Sequence, residues 1–113
     1  PGRVSSIASD LLKWDRALYT ERLVKKETLS QAFAPAKLNN DSISNYGFGW
    51  DIQLSPELGH VVRHSGSNPG YKTHIIRYID IDKTVIMFSN NDHEKFEVLL
   101  NTIEGWLSES KTP

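Results

Sequence analysis

The sequence has no cysteine, which excludes disulfides and thiolate chemistry but places the protein in no compartment. It also lacks an excess of either charge. Thirteen Lys and Arg stand against fourteen Asp and Glu, a formal net charge of -1, which gives no electrostatic basis for binding nucleic acid or an anionic membrane. Lys72, Arg77, Lys83 and Lys95 form no dense basic patch. No apolar run approaches the roughly 20 residues that span a bilayer, and no signal peptide opens the chain. The four histidines, His60, His64, His74 and His93, show no His-Glu-x-x-His spacing, and no Gly-rich phosphate loop occurs. No metal and no cofactor are expected. Internal repeats and low-complexity tracts are absent.

What is present reads as one domain, residues 1–113, with a modest core. The opening Pro1-Gly2 reads as the start of an excised C-terminal piece. Ile7, Leu11, Trp14 and Leu18 recur at helical spacing and predict a helix over Ile7 to Tyr19, capped by Ser5 or Ser6, with Trp14 in the core. A short helix over Glu27 to Phe33, with Leu29 and Phe33 inside, should stop at Pro35. Pro35 to Asn45 reads as loop. Tyr46, Phe48, Trp50 and Ile52 alternate, predicting a strand over Tyr46 to Leu54. Gly47 and Gly49 imply close packing on its other face.

Further strands are expected over His60 to Ser65, Thr73 to Ile79 and Thr84 to Ser89, with a hairpin connection at Asp80 to Lys83. Val85 to Phe88 is apolar throughout and predicts a central strand covered on both faces. Asn90-Asn91-Asp92 can cap a last helix, His93 to Leu107, whose apolar face is Phe96, Leu99, Leu100, Ile103 and Leu107. Lys111 to Pro113 reads as a frayed end. Short connections between neighbouring strands make this an α+β fold: an antiparallel sheet of about four strands packed with N-terminal and C-terminal helices.

The chain turns on one stretch, Arg63-His64-Ser65-Gly66-Ser67-Asn68-Pro69-Gly70-Tyr71-Lys72. Extended chain flanks Asn68-Pro69-Gly70, which reads as a tight turn. His64, Ser65 and Gly66 then sit at a strand end, where polar groups are held more rigidly than on a free loop. A self-contained dyad does not follow. Neighbouring side chains on a strand point to opposite faces, spacing does not bring His64 to Ser67, and no orienting acid is fixed.

His64-Ser65-Gly66 followed by Asn68-Pro69-Gly70-Tyr71 resembles the third active-site motif of the serine beta-lactamase and penicillin-binding superfamily. The branch it is most similar to holds the class C beta-lactamases, D-alanyl-D-alanine carboxypeptidases and esterase-like relatives. Gly2 to Trp14, Tyr46-Gly47-Phe48-Gly49-Trp50 and Val85 to Asn91 resemble further segments in the same order. The resemblance implies an incomplete beta-lactamase-like fold. One sheet edge and part of one face would be exposed, inviting self-association or marginal stability.

The same resemblance implies a parent that attacks an amide or ester through an acyl-enzyme. Its substrate would be a small molecule or a peptide, and its setting the periplasm, the cell envelope or the exterior. His64, Ser65, Gly66 and Ser67 would form a substrate-binding and oxyanion wall. His64 would face the cleft, Ser65 would donate to substrate, Gly66 would allow close approach, and the N–H of Gly66 or Ser67 would complete the oxyanion hole. His64 in place of the usual Lys removes a permanent charge and fits an esterase or peptidase better than a strong beta-lactamase.

The family's Ser-x-x-Lys nucleophile and Tyr-x-Asn motifs normally lie upstream. Ser108-Glu109-Ser110-Lys111 and Ser89-Asn90-Asn91 match Ser-x-x-Lys and Ser-x-Asn only as strings, at the wrong places in the order. Nucleophile and general base are therefore expected to come from the missing N-terminal part of the same domain, and the chain alone to be inert. The alternative is a non-catalytic binding or interaction module. A third reading is a small enzyme pairing His64 with a local serine.

Overall fold

The computed structural model describes residues 4–91 and 95–109, and only the backbone of Phe96. The expected Asp92 cap, the helix start at His93, the Phe96 side chain and the Lys111–Pro113 end lie outside the described residues.

The chain begins with helix α1, Ala8–Ala17. Its N-cap is Ile7, and no side-chain hydrogen bond caps it, so the expected Ser5 or Ser6 cap is not formed. The Ser6 hydroxyl instead donates to the carbonyl of Ile7. The inward face also differs from the expected stripe. Leu18 and Asp15 are buried, Leu11 is half-buried, and Ile7 is exposed. Trp14 is a partly exposed ring stacked on Trp50, centroids 6.1 Å apart and planes within 16°. Helix α2, Lys26–Ala32, ends at Phe33, which is buried.

Strands β1 (Ala36–Lys37) and β2 (Ile43–Ser44) pair with each other within the stretch expected to be loop. Two-residue strands carry too little periodicity to be read from sequence. The main sheet follows: β3 (Asp51–Ser55), β4 (Gly59–Asn68), β5 (Tyr71–Tyr78) and β6 (Lys83–Ser89). It is an antiparallel meander in chain order. The last helix is α3, Phe96–Glu109.

The strand expected to start at Tyr46 starts only at Asp51. Gly49 takes a left-handed φ of 78°, and Gly47 N–H donates to the Trp50 carbonyl, so residues 46–50 turn back on themselves. Trp50 and Ile52 are buried, but Phe48 is 67% exposed. The close packing implied by Gly47 does occur, against the end of α2. A Cβ at Gly47 would overlap the carbonyl oxygen of Ala32, and that carbonyl accepts from Phe48 N–H at 3.1 Å.

Side-chain alternation along β4 divides the core in two. Val62 joins Leu18, Phe33, Trp50 and Ile52 under α1 and α2. Val61 joins Leu58, Ile76, Tyr78 and Leu100 under α3. The fold is thus α+β, a four-stranded antiparallel sheet between helical layers, a partial beta-lactamase-like fold. Strand β6 is not the covered central strand that its composition implied. It lies at one side of the sheet order, Val85 to Met87 are half-buried and Phe88 is exposed. Among the described residues no strand pairs with its outer edge. Helix α3 likewise exposes Val98, Leu99 and Trp106.

One buried ionic cluster fastens α1 to the sheet. Asp15 is fully buried and accepts from Arg77 Nε, from Arg16 Nε at 3.0 Å and Nη2 at 2.8 Å, and from Thr84 Oγ1 at 3.0 Å. Arg16 reaches on to Asp82 at 2.6 Å. The Tyr19 ring lies against both guanidinium groups, at 4.7 and 4.9 Å. Hydrogen bonds to Asp15 and then Asp82 hold the Arg16 guanidinium above its already high ordinary pKa.

Candidate functional site

The site is built on the far half of β4. Pro69 and Gly70 make a two-residue turn that closes on the pair Asn68 and Tyr71, with Gly70 at φ 80°. From that closure the register runs back as Ser67 opposite Lys72, Gly66 opposite Thr73, Ser65 opposite His74, and His64 opposite Ile75. On the other side β3 reaches only as far as Arg63, which pairs with Asp51. Among the described residues, the edge of β4 from His64 to Asn68 therefore has no strand on that side.

Which backbone groups face this open edge follows from alternation. Ile52 N–H donates to the Asn45 carbonyl, away from β4, so its neighbours Asp51 and Gln53 carry the bonds to Arg63 and Val61. Counting on from Arg63 by twos, Ser65 and Ser67 turn their N–H and carbonyl groups to the open edge. His64, Gly66 and Asn68 turn theirs to β5. Of the Gly66 and Ser67 N–H groups, the one at the open edge is thus that of Ser67.

Side chains divide in the same way. Val62, His64 and Gly66 share the α1–α2 face, while Val61, Arg63, Ser65 and Ser67 share the α3 face. His64 and either serine hence lie on opposite faces, as adjacency on a strand requires. No local dyad forms, and the reading of a small enzyme pairing His64 with a neighbouring serine loses its geometric basis. His64 is exposed, and its imidazole meets the Tyr46 ring at 6.5 Å and 60°, a T-shaped contact. Gly66 has its own structural reason: a Cβ there would meet Thr73 Oγ1 at 2.5 Å.

On the α3 side lies a cavity of about 200 Å³ lined by Asp51, Arg63, His64, Ser65, His74, Glu97 and Leu100. Burial pushes the His74 pKa down and the nearby Glu97 carboxylate opposes this, with Arg63 and Lys72 adding to the lowering. His74 was not singled out from the sequence, although counting back from the two-residue turn puts it opposite Ser65. Tyr46 and Asp15 were missed as well. Arg77 carried the signal for Asp15, since a charge inside the apolar run Ile75-Ile76-Arg77-Tyr78 requires a buried counter-ion. Among the described residues no group of three or more His, Asp or Glu could hold a metal ion, and no helix is long and apolar enough to cross a membrane.

Comparison with known proteins connects the sequence of this chain to a family. The Beta-lactamase family model matches residues 1–105. The chain belongs to the beta-lactamase family, within a superfamily of serine hydrolases. It is 48% identical over 93 residues to penicillin-binding protein 4* of Bacillus subtilis (strain 168). That alignment covers 82% of this chain but only 21% of the relative's length. No solved structure gives a significant match.

Proposed function

We propose that the chain is the C-terminal part of a longer serine hydrolase that cleaves an amide or ester through an acyl-enzyme, and that it supplies one wall of the active site. The observation behind this reading is the unpaired edge of β4 at Ser65 and Ser67, flanked by the His64 imidazole. A small-molecule or peptide substrate lies along that edge. Ser67 N–H donates to the oxyanion that develops as the carbonyl is attacked. The Ser65 hydroxyl donates to a second substrate oxygen. Gly66 leaves room for Thr73 and for close approach of the substrate, and His64 faces the cleft.

The nucleophile and the general base come from the N-terminal part of the same domain, which also covers the outer edge of β6 and the exposed apolar residues of α3. The parent works in the periplasm, the cell envelope or the exterior. Without that part the chain is inert and self-associates through the uncovered edge.

A fluorescent penicillin tests the reading. The longer protein should be labelled or should turn over a simple ester, and His64→Ala should weaken either reaction. The 113-residue chain should take no label, and its sedimentation should show concentration-dependent association. Stoichiometric labelling of the chain alone would sink the claim that it is inert. A second reading, a non-catalytic binding module, draws on the same open edge, which can accept an extended peptide without chemistry. It takes over if the longer protein neither labels nor hydrolyses but binds peptide saturably.

A further inference from the structure

We infer that Tyr46 is a positioning residue for His64, fixing how the imidazole meets the groove at the point where β3 ends. The inference rests on the placement of His64 in a substrate cleft proposed above. Tyr46 forms an isolated antiparallel bridge with Asp51, the first residue of β3, which itself pairs with Arg63. Its ring therefore stands near the start of the open edge, in contact with the His64 imidazole.

His64 needs such a neighbour. It is exposed, and among the described residues no hydrogen bond or ion pair to its imidazole holds it. An exposed imidazole turns about two soft torsions, and contact with one aromatic ring selects among its rotamers. Tyr46 can do this because its own backbone is fixed from three sides. Its carbonyl accepts from Ala36 N–H at 3.0 Å. The preceding carbonyl, of Asn45, accepts from Ile52 N–H at 2.8 Å. The next residue, Gly47, sits against the Ala32 carbonyl with no room for a side chain. The turn over residues 46–50 is thus a rigid mount, and the one side chain it aims at His64 is Tyr46. Tyr46 touches neither the scissile bond nor the oxyanion, so its effect passes through His64.

The test has two parts. In the 113-residue chain, the His64 ring protons should carry a ring-current shift that Tyr46→Phe preserves and Tyr46→Ala removes, with the remaining spectrum unchanged. In the longer protein, Tyr46→Phe should stay within about twofold of the parent kcat/KM, and Tyr46→Ala should lose about tenfold or more. The double variant Tyr46→Ala/His64→Ala should be no worse than His64→Ala alone, because a residue that acts only through His64 has nothing left to position. Additive losses in that cycle, or ring protons that ignore Tyr46→Ala, overturn the inference. Absence of turnover in the unaltered longer protein overturns the acyl-enzyme reading instead, whereas normal turnover with additive losses overturns only the role of Tyr46.

Discussion

Replacing Asp15 by Ala tests the buried ionic cluster most directly. The carboxylate is fully buried and faces Arg77, which is 1% exposed. Arg77 Nη1 already has no partner among the described residues, so Asp15 is the group that compensates the buried charge. Removing one member of a buried pair costs about 3–5 kcal/mol, mostly because the other charge is left without a counter-ion. A domain of this kind has a total stability of about 5–15 kcal/mol. With a urea dependence of about 2 kcal/mol per molar, the midpoint of unfolding should fall by about 2 M. Asp15→Asn should fall between the two, because an amide can still accept from Thr84 and an arginine but carries no charge. The double change Asp15→Leu/Arg77→Met should recover most of the loss, since an apolar pair leaves no charge to solvate. If Asp15→Ala cost less than about 1 kcal/mol, or if the double variant were as unstable as the single one, the cluster would not be what holds α1 to β5 and β6.

Three other changes follow from close contacts and from burial. Gly66→Ala should cost about 1–3 kcal/mol, because the new methyl meets Thr73 Oγ1, and adding Thr73→Ala should return most of it in thermal melts. Gly47→Ala should reach the upper end of that same range of about 1–3 kcal/mol with no side-chain rescue, because the obstacle is the Ala32 backbone carbonyl; a melting temperature lowered by less than that of Gly66→Ala would contradict it. The lowered pKa of His74 means that the unfolded chain holds a proton there more readily than the folded one. The stability from neutral His74 is present above about pH 6.5, its unfolded value, and is lost as the pH falls through the folded value. Urea midpoints at pH 7.5 and 5.5 should therefore converge in His74→Gln relative to the parent, and an unchanged gap would show that His74 does not contribute.

The fold was legible where one physical signal decided the matter. Five apolar residues at helical spacing marked α3, and Asn68-Pro69-Gly70 marked the turn between β4 and β5. It was misread where two signals coincided. Tyr46, Phe48 and Trp50 alternate as a strand does, but they alternate with glycines, and Gly49 uses its freedom to reverse the chain. The apolar run of β6 had the composition of a central strand, whereas among the described residues its outer edge has no neighbour. At the site, His64 to Ser67 could be named from their order along the chain. The division of their side chains between two faces, and of their amides between β5 and the open edge, needed the register. Tyr46 and His74 lie 18 and 9 residues from the groups they stand beside, in His64 and Ser65, and no local pattern joins them.

The two-residue turn at Pro69 and Gly70 also governs which changes of length the chain can survive. With β4 held by β3, one extra residue in that turn moves β5 by a single step, and a single step exchanges its faces. Arg77 would then swing toward α3 and away from Asp15, while Ile76 and Tyr78 would leave the pocket they fill around Leu100. An insertion of that size at the tip of an exposed hairpin would be read out on the opposite side of the molecule, at the junction of α1 with the sheet. Natural variation in loop length should be excluded from this turn and find its room between Pro35 and Asn45, where the paired strands are two residues long and hold no part of the main core.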